Sequence, residues 1–124
     1  MARLLVVDDE KDMRTYMKVA LEKHGHSITL ANGPSEAVAC LRDATFDAVL
    51  LDIDMPEMDG VTLTRVLTST PALLGHPDVP ILLVTGCDDP GIIGESFDAG
   101  ARYFLRKPFS PRELLHAVQL VLEV

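Results

Sequence analysis

A chain of 124 residues, 48% hydrophobic and 24% charged, has the size and composition of one compact domain with enough apolar material for its own core. Its formal net charge of −8 argues against the basic patch that a nucleic-acid or anionic-membrane surface requires, and suits divalent cations or basic partner surfaces instead. No apolar run reaches the ~20 residues that span a bilayer, and Met1-Ala2-Arg3-Leu4-Leu5 runs straight into an acidic cluster, unlike a signal peptide, so a cytoplasmic location is expected.

Short apolar runs alternate with amphipathic ones five times. Leu4-Leu5-Val6-Val7 is apolar on both faces, as a strand between two helical layers would be. From Asp12 to about Lys23, Met13, Tyr16, Met17, Ala20 and Leu21 recur at spacings of three and four and predict a helix, with Gly25 as its stop. A second strand over Ser27 to Ala31 leads through Asn32-Gly33 to a helix opened by Pro34, with Ala37, Val38 and Leu41 on its inward face. Ala48-Val49-Leu50-Leu51 is the third strand. A loop carrying Met55-Pro56 and Asp59-Gly60 then precedes a helix from about Val61 to Leu67.

Thr68 to Val79 holds Pro71, Gly75 and Pro77 and reads as an irregular connection. Ile81-Leu82-Leu83-Val84 is the fourth strand. The fourth helix, Pro90 to Ala99, is weak, because Gly91 and Gly94 each cost about 1 kcal/mol relative to alanine. Tyr103-Phe104-Leu105 is the fifth strand. The last helix starts at Ser110 with Pro111 in its first position and Glu113 three residues on, the pattern of a capping box. Strands alternating with helices imply right-handed crossovers and a parallel sheet covered on both faces, a doubly wound (βα)5 domain. The whole chain, 1–124, reads as one domain, with no repeat, linker or output domain.

In such a sheet ligands bind outside the carboxyl ends of the strands. Asp8-Asp9-Glu10 follows the first strand, Asp52 the third, Thr85 the fourth and Lys107-Pro108 the fifth. Any one of these alone suits a helix cap. Together they suit a site: if the first and third strands are neighbours, Asp8, Asp9 and Asp52 converge, and a hard cation such as magnesium would relieve their repulsion. A carboxylate beside magnesium can attack a phosphoryl donor. Lys107 would then meet the charge on the transferred group, and the Thr85 hydroxyl would supply a hydrogen bond. Cys40 and Cys87 show no metal-ligand spacing and are expected as free thiols. His24, His26, His76 and His116 are scattered, and none is read as catalytic or metal-binding.

Val7-Asp8-Asp9, the run from Leu50 to Gly60 with Asp52, Met55-Pro56 and Met58-Asp59-Gly60, Val84-Thr85-Gly86 and Lys107-Pro108-Phe109 resemble, in that order, the receiver domains of bacterial two-component response regulators. The resemblance spans Leu4 to about Leu122. It implies a flavodoxin-like five-stranded sheet in order 2-1-3-4-5 and an aspartyl phosphate on Asp52. The implied magnesium ligands are Asp9, Asp8 through a water, Asp52 itself and the Asp54 backbone carbonyl. Thr85 and Lys107 would contact the phosphoryl group, and Gly86 matches a position kept small for access. The implied donor is a phosphohistidine on a sensor histidine kinase or histidine phosphotransfer protein, and the implied consequence is a conformational signal to a downstream effector or output domain. The chain would catalyse its own phosphorylation and slower dephosphorylation rather than act as a metabolic enzyme.

The resemblance also implies a switch in which Thr85 moves toward the phosphoryl group as an aromatic side chain of the fifth strand turns inward. That position falls on Phe104, where many relatives have tyrosine, and phenylalanine can fill space but cannot donate a hydrogen bond. Tyr103 should face the other side of the sheet. The Asp54 side chain and Cys87 occupy positions that tune phosphoryl lifetime in the family. Two other functions compete. Asp52-Ile53-Asp54 has the spacing of aspartate-nucleophile phosphohydrolases of the haloacid-dehalogenase type, but follows the third strand rather than the first and has no cap. A phosphate-independent binding module is opposed by the intact set of Asp8, Asp9, Asp52, Thr85 and Lys107.

Overall fold

The computed structural model describes residues 2–53, 62–65, 79–86 and 89–123. In chain order these are β1 (Arg3–Val7), α1 (Lys11–Glu22), β2 (Ser27–Ala31), α2 (Pro34–Asp43), β3 (Ala48–Leu51), a helical stretch α3 at 62–65, β4 (Ile81–Thr85), α4 (Pro90–Asp98), β5 (Tyr103–Arg106) and α5 (Pro111–Leu122). The five strands form one parallel sheet in the order β2-β1-β3-β4-β5, the flavodoxin-like arrangement expected. Residues 62–65 of the expected Val61–Leu67 helix are helical; its remaining residues, the Met55–Gly60 loop before it and all of the Thr68–Val79 connection but Val79 lie outside the described residues.

The central strands are apolar throughout because both of their faces are covered. Leu5 and Val7, Val49 and Leu51, and Ile81 and Leu83 point into one core with Ala37 and Leu41 of α2 and Leu63 of α3. The alternate residues, Leu4 and Val6, Ala48 and Leu50, and Leu82 and Val84, point into the other with Met17 and Leu21 of α1 and Leu114, Val118 and Val121 of α5. Period-two alternation thus divides each strand between two helical layers. Burying one such leucine is worth about 1.5–3 kcal/mol. β2 and β5 lie at the sheet edges, and several of their residues are exposed.

Local chemistry sets the ends. Gly25 stops α1 with φ of 87°, the left-handed conformation that glycine adopts without strain. Pro34 opens α2. Ser110 and Glu113 form the reciprocal capping box of α5: the Ser110 hydroxyl accepts from the Glu113 N–H at 3.1 Å, and the Glu113 carboxylate accepts from the Ser110 N–H at 2.9 Å. α4 forms despite its two glycines. Asp89 caps it by accepting from the Gly91 N–H at 2.9 Å, an aid not foreseen from sequence.

Candidate functional site

Three strand ends build the site. β1 and β3 are adjacent with Val7 opposite Leu51, so the residues that follow, Asp8 and Asp52, emerge side by side. Asp8 is fully buried and Asp52 nearly so, while Asp9 is exposed. A carboxylate oxygen from each of Asp8, Asp9 and Asp52 lies within 4.8 Å of the others, a group able to hold a metal ion. The donor set consists of hard oxygens on an acidic rim with one exposed member, which fits a small divalent cation that keeps part of its water shell. Among the described residues no other group of three His, Cys, Asp or Glu side chains meets this spacing.

Lys107 enters from the end of β5. Its Nζ donates to Asp8 Oδ2 at 2.8 Å and to Asp52 Oδ2 at 3.5 Å, so one ammonium bridges the two buried carboxylates. Glu10 Oε1 stands 3.8 Å from the same nitrogen on a largely exposed side chain and adds little. Burial is the largest influence on the Lys107 pKa and pulls it down. The hydrogen bond to Asp8 and the charges of Asp52 and Asp8 together outweigh it and hold the ammonium above its ordinary value.

The backbone holds these groups in place. The Asp8 N–H donates to the Ala31 carbonyl and the Asp52 N–H to the Val7 carbonyl, extending the ladders by one residue each. Asp8 Oδ1 accepts from the Glu10 N–H at 2.9 Å, and the Asp8 carbonyl accepts from Arg14 Nη1 at 2.8 Å. The Lys107 N–H donates to the Thr85 carbonyl at 2.8 Å, tying the fifth strand end to the fourth. The Lys107–Pro108 peptide is cis.

Thr85 is the last residue of β4 rather than the first beyond it, and it is wholly buried. Phe104 is half-buried against the α2–α3 core, and its neighbour Leu105 packs against the other core. Phe104 is registered with Leu83, so it shares a sheet face with Leu83 and Thr85, while Tyr103 falls on the opposite alternation and is exposed. A β-carbon at Gly86 would meet no described atom within 4 Å, so an alanine has room there and the need for a small residue does not arise from the described neighbours. Asp54 and Cys87 lie outside the described residues. Cys40 is a free thiol, and burial, reinforced by Glu36 and Asp43, pushes its pKa up, which disfavours the thiolate form.

Sequence reasoning brought together Asp8, Asp9, Asp52 and Lys107 but missed Arg14 and Tyr16. The Tyr16 hydroxyl donates to the Phe109 carbonyl at 3.0 Å, next to Lys107-Pro108. Its helical spacing marked it only as a core position. A phenol at such a position needs a polar partner, and that was the available signal.

With strand order and strand-end carboxylates both in hand, the chain belongs to the response regulator receiver domain family, whose pattern it matches over residues 4–119. It is similar to the response regulator MprA of Mycobacterium sp. (strain KMS), at 38% identity over 120 residues, covering 97% of this chain and 50% of that protein. The same-named regulator of Mycobacterium leprae (strain TN) is 37% identical over the same coverage. The chain therefore spans about half the length of the curated relatives it matches. In fold it resembles the chemotaxis protein CheY4 of Vibrio cholerae, with a TM-score of 0.91, 32% identity, and coverage of 98% of this chain and 99% of that one. The BeF3-activated DrrB receiver domain superposes with a TM-score of 0.85 at 27% identity, over 100% of this chain and 99% of the other. Among the described residues no helix is long and apolar enough to cross a membrane.

Proposed function

We propose that this receiver domain is a phosphorylation switch, with Asp52 as the phosphoacceptor and a phosphohistidine of a sensor histidine kinase or phosphotransfer protein as the donor. The observation that carries the reading is the arrangement of Asp8, Asp9 and Asp52 within 4.8 Å, with the Lys107 ammonium 2.8 Å from Asp8 and 3.5 Å from Asp52. The carboxylates follow the adjacent strands β1 and β3, and the Lys107 ammonium reaches them from the end of β5, beyond β4.

In the proposed reaction an Asp52 carboxylate oxygen attacks phosphorus. The O–P bond forms as the P–N bond to the donor histidine breaks, and the imidazole leaves with the bonding pair and is protonated. The transferred group carries charge on three oxygens, so the protein's work is positioning and neutralisation. Asp8, Asp9, Asp52 and the Asp54 carbonyl would hold magnesium, which when bound supplies positive charge to the phosphoryl oxygens. Lys107 supplies a second positive charge, and Thr85 donates its hydroxyl to a phosphoryl oxygen. Thr85 and Phe104 share a sheet face on neighbouring strands, which supports coupling between movement of the threonine and rotation of the ring. The Asp54 side chain and Cys87 would tune hydrolysis of the acyl phosphate.

The relatives named response regulators support a kinase partner, a cytoplasmic location and an effector or output domain that reads the switch. The test is conformational. Magnesium with beryllium fluoride should shift the backbone amide resonances of β4, β5 and α4 in the parent protein and leave Asp52→Asn unchanged. An unchanged parent spectrum overturns the reading.

A further inference from the structure

Tyr16 lies on α1, outside the acidic cluster, yet two of its contacts reach the segment that carries Lys107. Its ring stacks on Phe109 with centroids 5.6 Å apart and planes 16° from parallel. Its hydroxyl donates to the Phe109 carbonyl at 3.0 Å, across 93 positions of sequence. The 107–110 segment is fixed at its start by the Lys107 N–H on the Thr85 carbonyl, and at its end by the Ser110–Glu113 capping box. Between those points Pro108 has no N–H to offer, and Phe109 is buried, so its carbonyl needs a partner from elsewhere. Tyr16 supplies it. On the same helix, Arg14 donates to the carbonyl of Asp8 at 2.8 Å. One helix is thus tied both to the strand end that carries Asp8 and to the segment that carries Lys107, whose side chains meet at 2.8 Å.

We propose that Tyr16 is a positioning residue for phosphoryl acceptance: through Phe109 it sets where Lys107 stands relative to Asp8 and Asp52. The proposal rests on the reading of Lys107 as the group that meets the phosphoryl charge. A displacement of Phe109 is carried through Pro108 to Lys107, and a shift of that ammonium by a fraction of an ångström weakens its contact with charge that develops in the transition state. Tyr16 touches none of the cation ligands, so its loss is read as a fall in the rate at saturating magnesium.

The test compares the parent with Tyr16→Phe, which keeps the stacked ring and removes the hydroxyl, and with Tyr16→Leu, which removes both. Phosphorylation by phosphoramidate is followed over a range of donor and magnesium concentrations, alongside thermal unfolding. The maximal rate at saturating magnesium should fall about fivefold in Tyr16→Phe and further in Tyr16→Leu. A role in stability alone would lower the melting temperature and leave the maximal rate of the folded protein intact. A parent that is phosphorylated and a folded Tyr16→Phe with the same maximal rate overturn this proposal alone. A parent that takes no phosphoryl group overturns it together with the proposed function.

Discussion

Lys107 is the residue on which the site balances. Asp8 and Asp52 are buried carboxylates on adjacent strands, and one ammonium serves both. Truncating one partner of a buried ion pair leaves charge without compensation, so Lys107→Met should cost on the order of 3 kcal/mol in metal-free buffer. Added magnesium should then stabilise the variant more than the parent, because the cation no longer competes with the ammonium for Asp8. Equal gains, read from urea midpoints with and without magnesium, would contradict this. His26 carries a second prediction at the same scale. Its Nδ1 accepts from the Ala2 N–H at 3.2 Å, which only the unprotonated nitrogen can do. Burial first, then the charges of the amino terminus and His24, lower its pKa from the usual 6.5. The unfolded chain therefore binds the proton more readily than the folded one. The contribution is fully present above 6.5 and is lost as pH falls through that value toward the lower folded pKa. The urea midpoint should decline between pH 7.5 and pH 5.5, and His26→Gln should flatten that decline; an identical slope in the variant would contradict the assignment.

Among the elements, those with two buried faces were the most legible. β1, β3 and β4 stand out in sequence because an uninterrupted apolar run is what a strand between two helical layers requires. The ends differ by a residue: α1 begins at Lys11 rather than Asp12, and β4 and β5 run one residue further, to Thr85 and Arg106. Termini are set by hydrogen bonds that periodicity does not register. α4 is the instructive case, because its glycines predict weakness and the structure shows a helix with an aspartate cap and one buried residue, Ser96. Gly94 has nothing within 4 Å of where a β-carbon would stand, whereas at Gly91 that atom would come within 3.2 Å of the capping Asp89 carboxylate. Gly94→Ala should therefore stabilise the domain by about 0.5–1 kcal/mol in urea unfolding. Gly91→Ala should give back part of that gain by crowding the cap. Equal stabilisation by both would show that the cap contributes nothing.

For the whole molecule, the fold and the location of the site were readable from one regularity: polar residues placed just past apolar strands. Sheet order turned those separated residues into a cluster, because β1 beside β3 brings Asp8 to Asp52, and β4 beside β5 ties Thr85 to Lys107. The bridging by Lys107 and the Tyr16–Phe109 link were not readable. They depend on where long side chains meet across 99 and 93 positions of sequence, and no local pattern encodes that. The central claim is that this cluster exists to place a phosphoryl group on Asp52. Its most direct test is to incubate the protein with magnesium and a phosphorylated histidine kinase or phosphoramidate and to measure the intact mass. One added phosphoryl group per chain, absent in Asp52→Asn and without magnesium, is the expected result. Phosphorylation that persists in Asp52→Asn, or none in the parent, would contradict it.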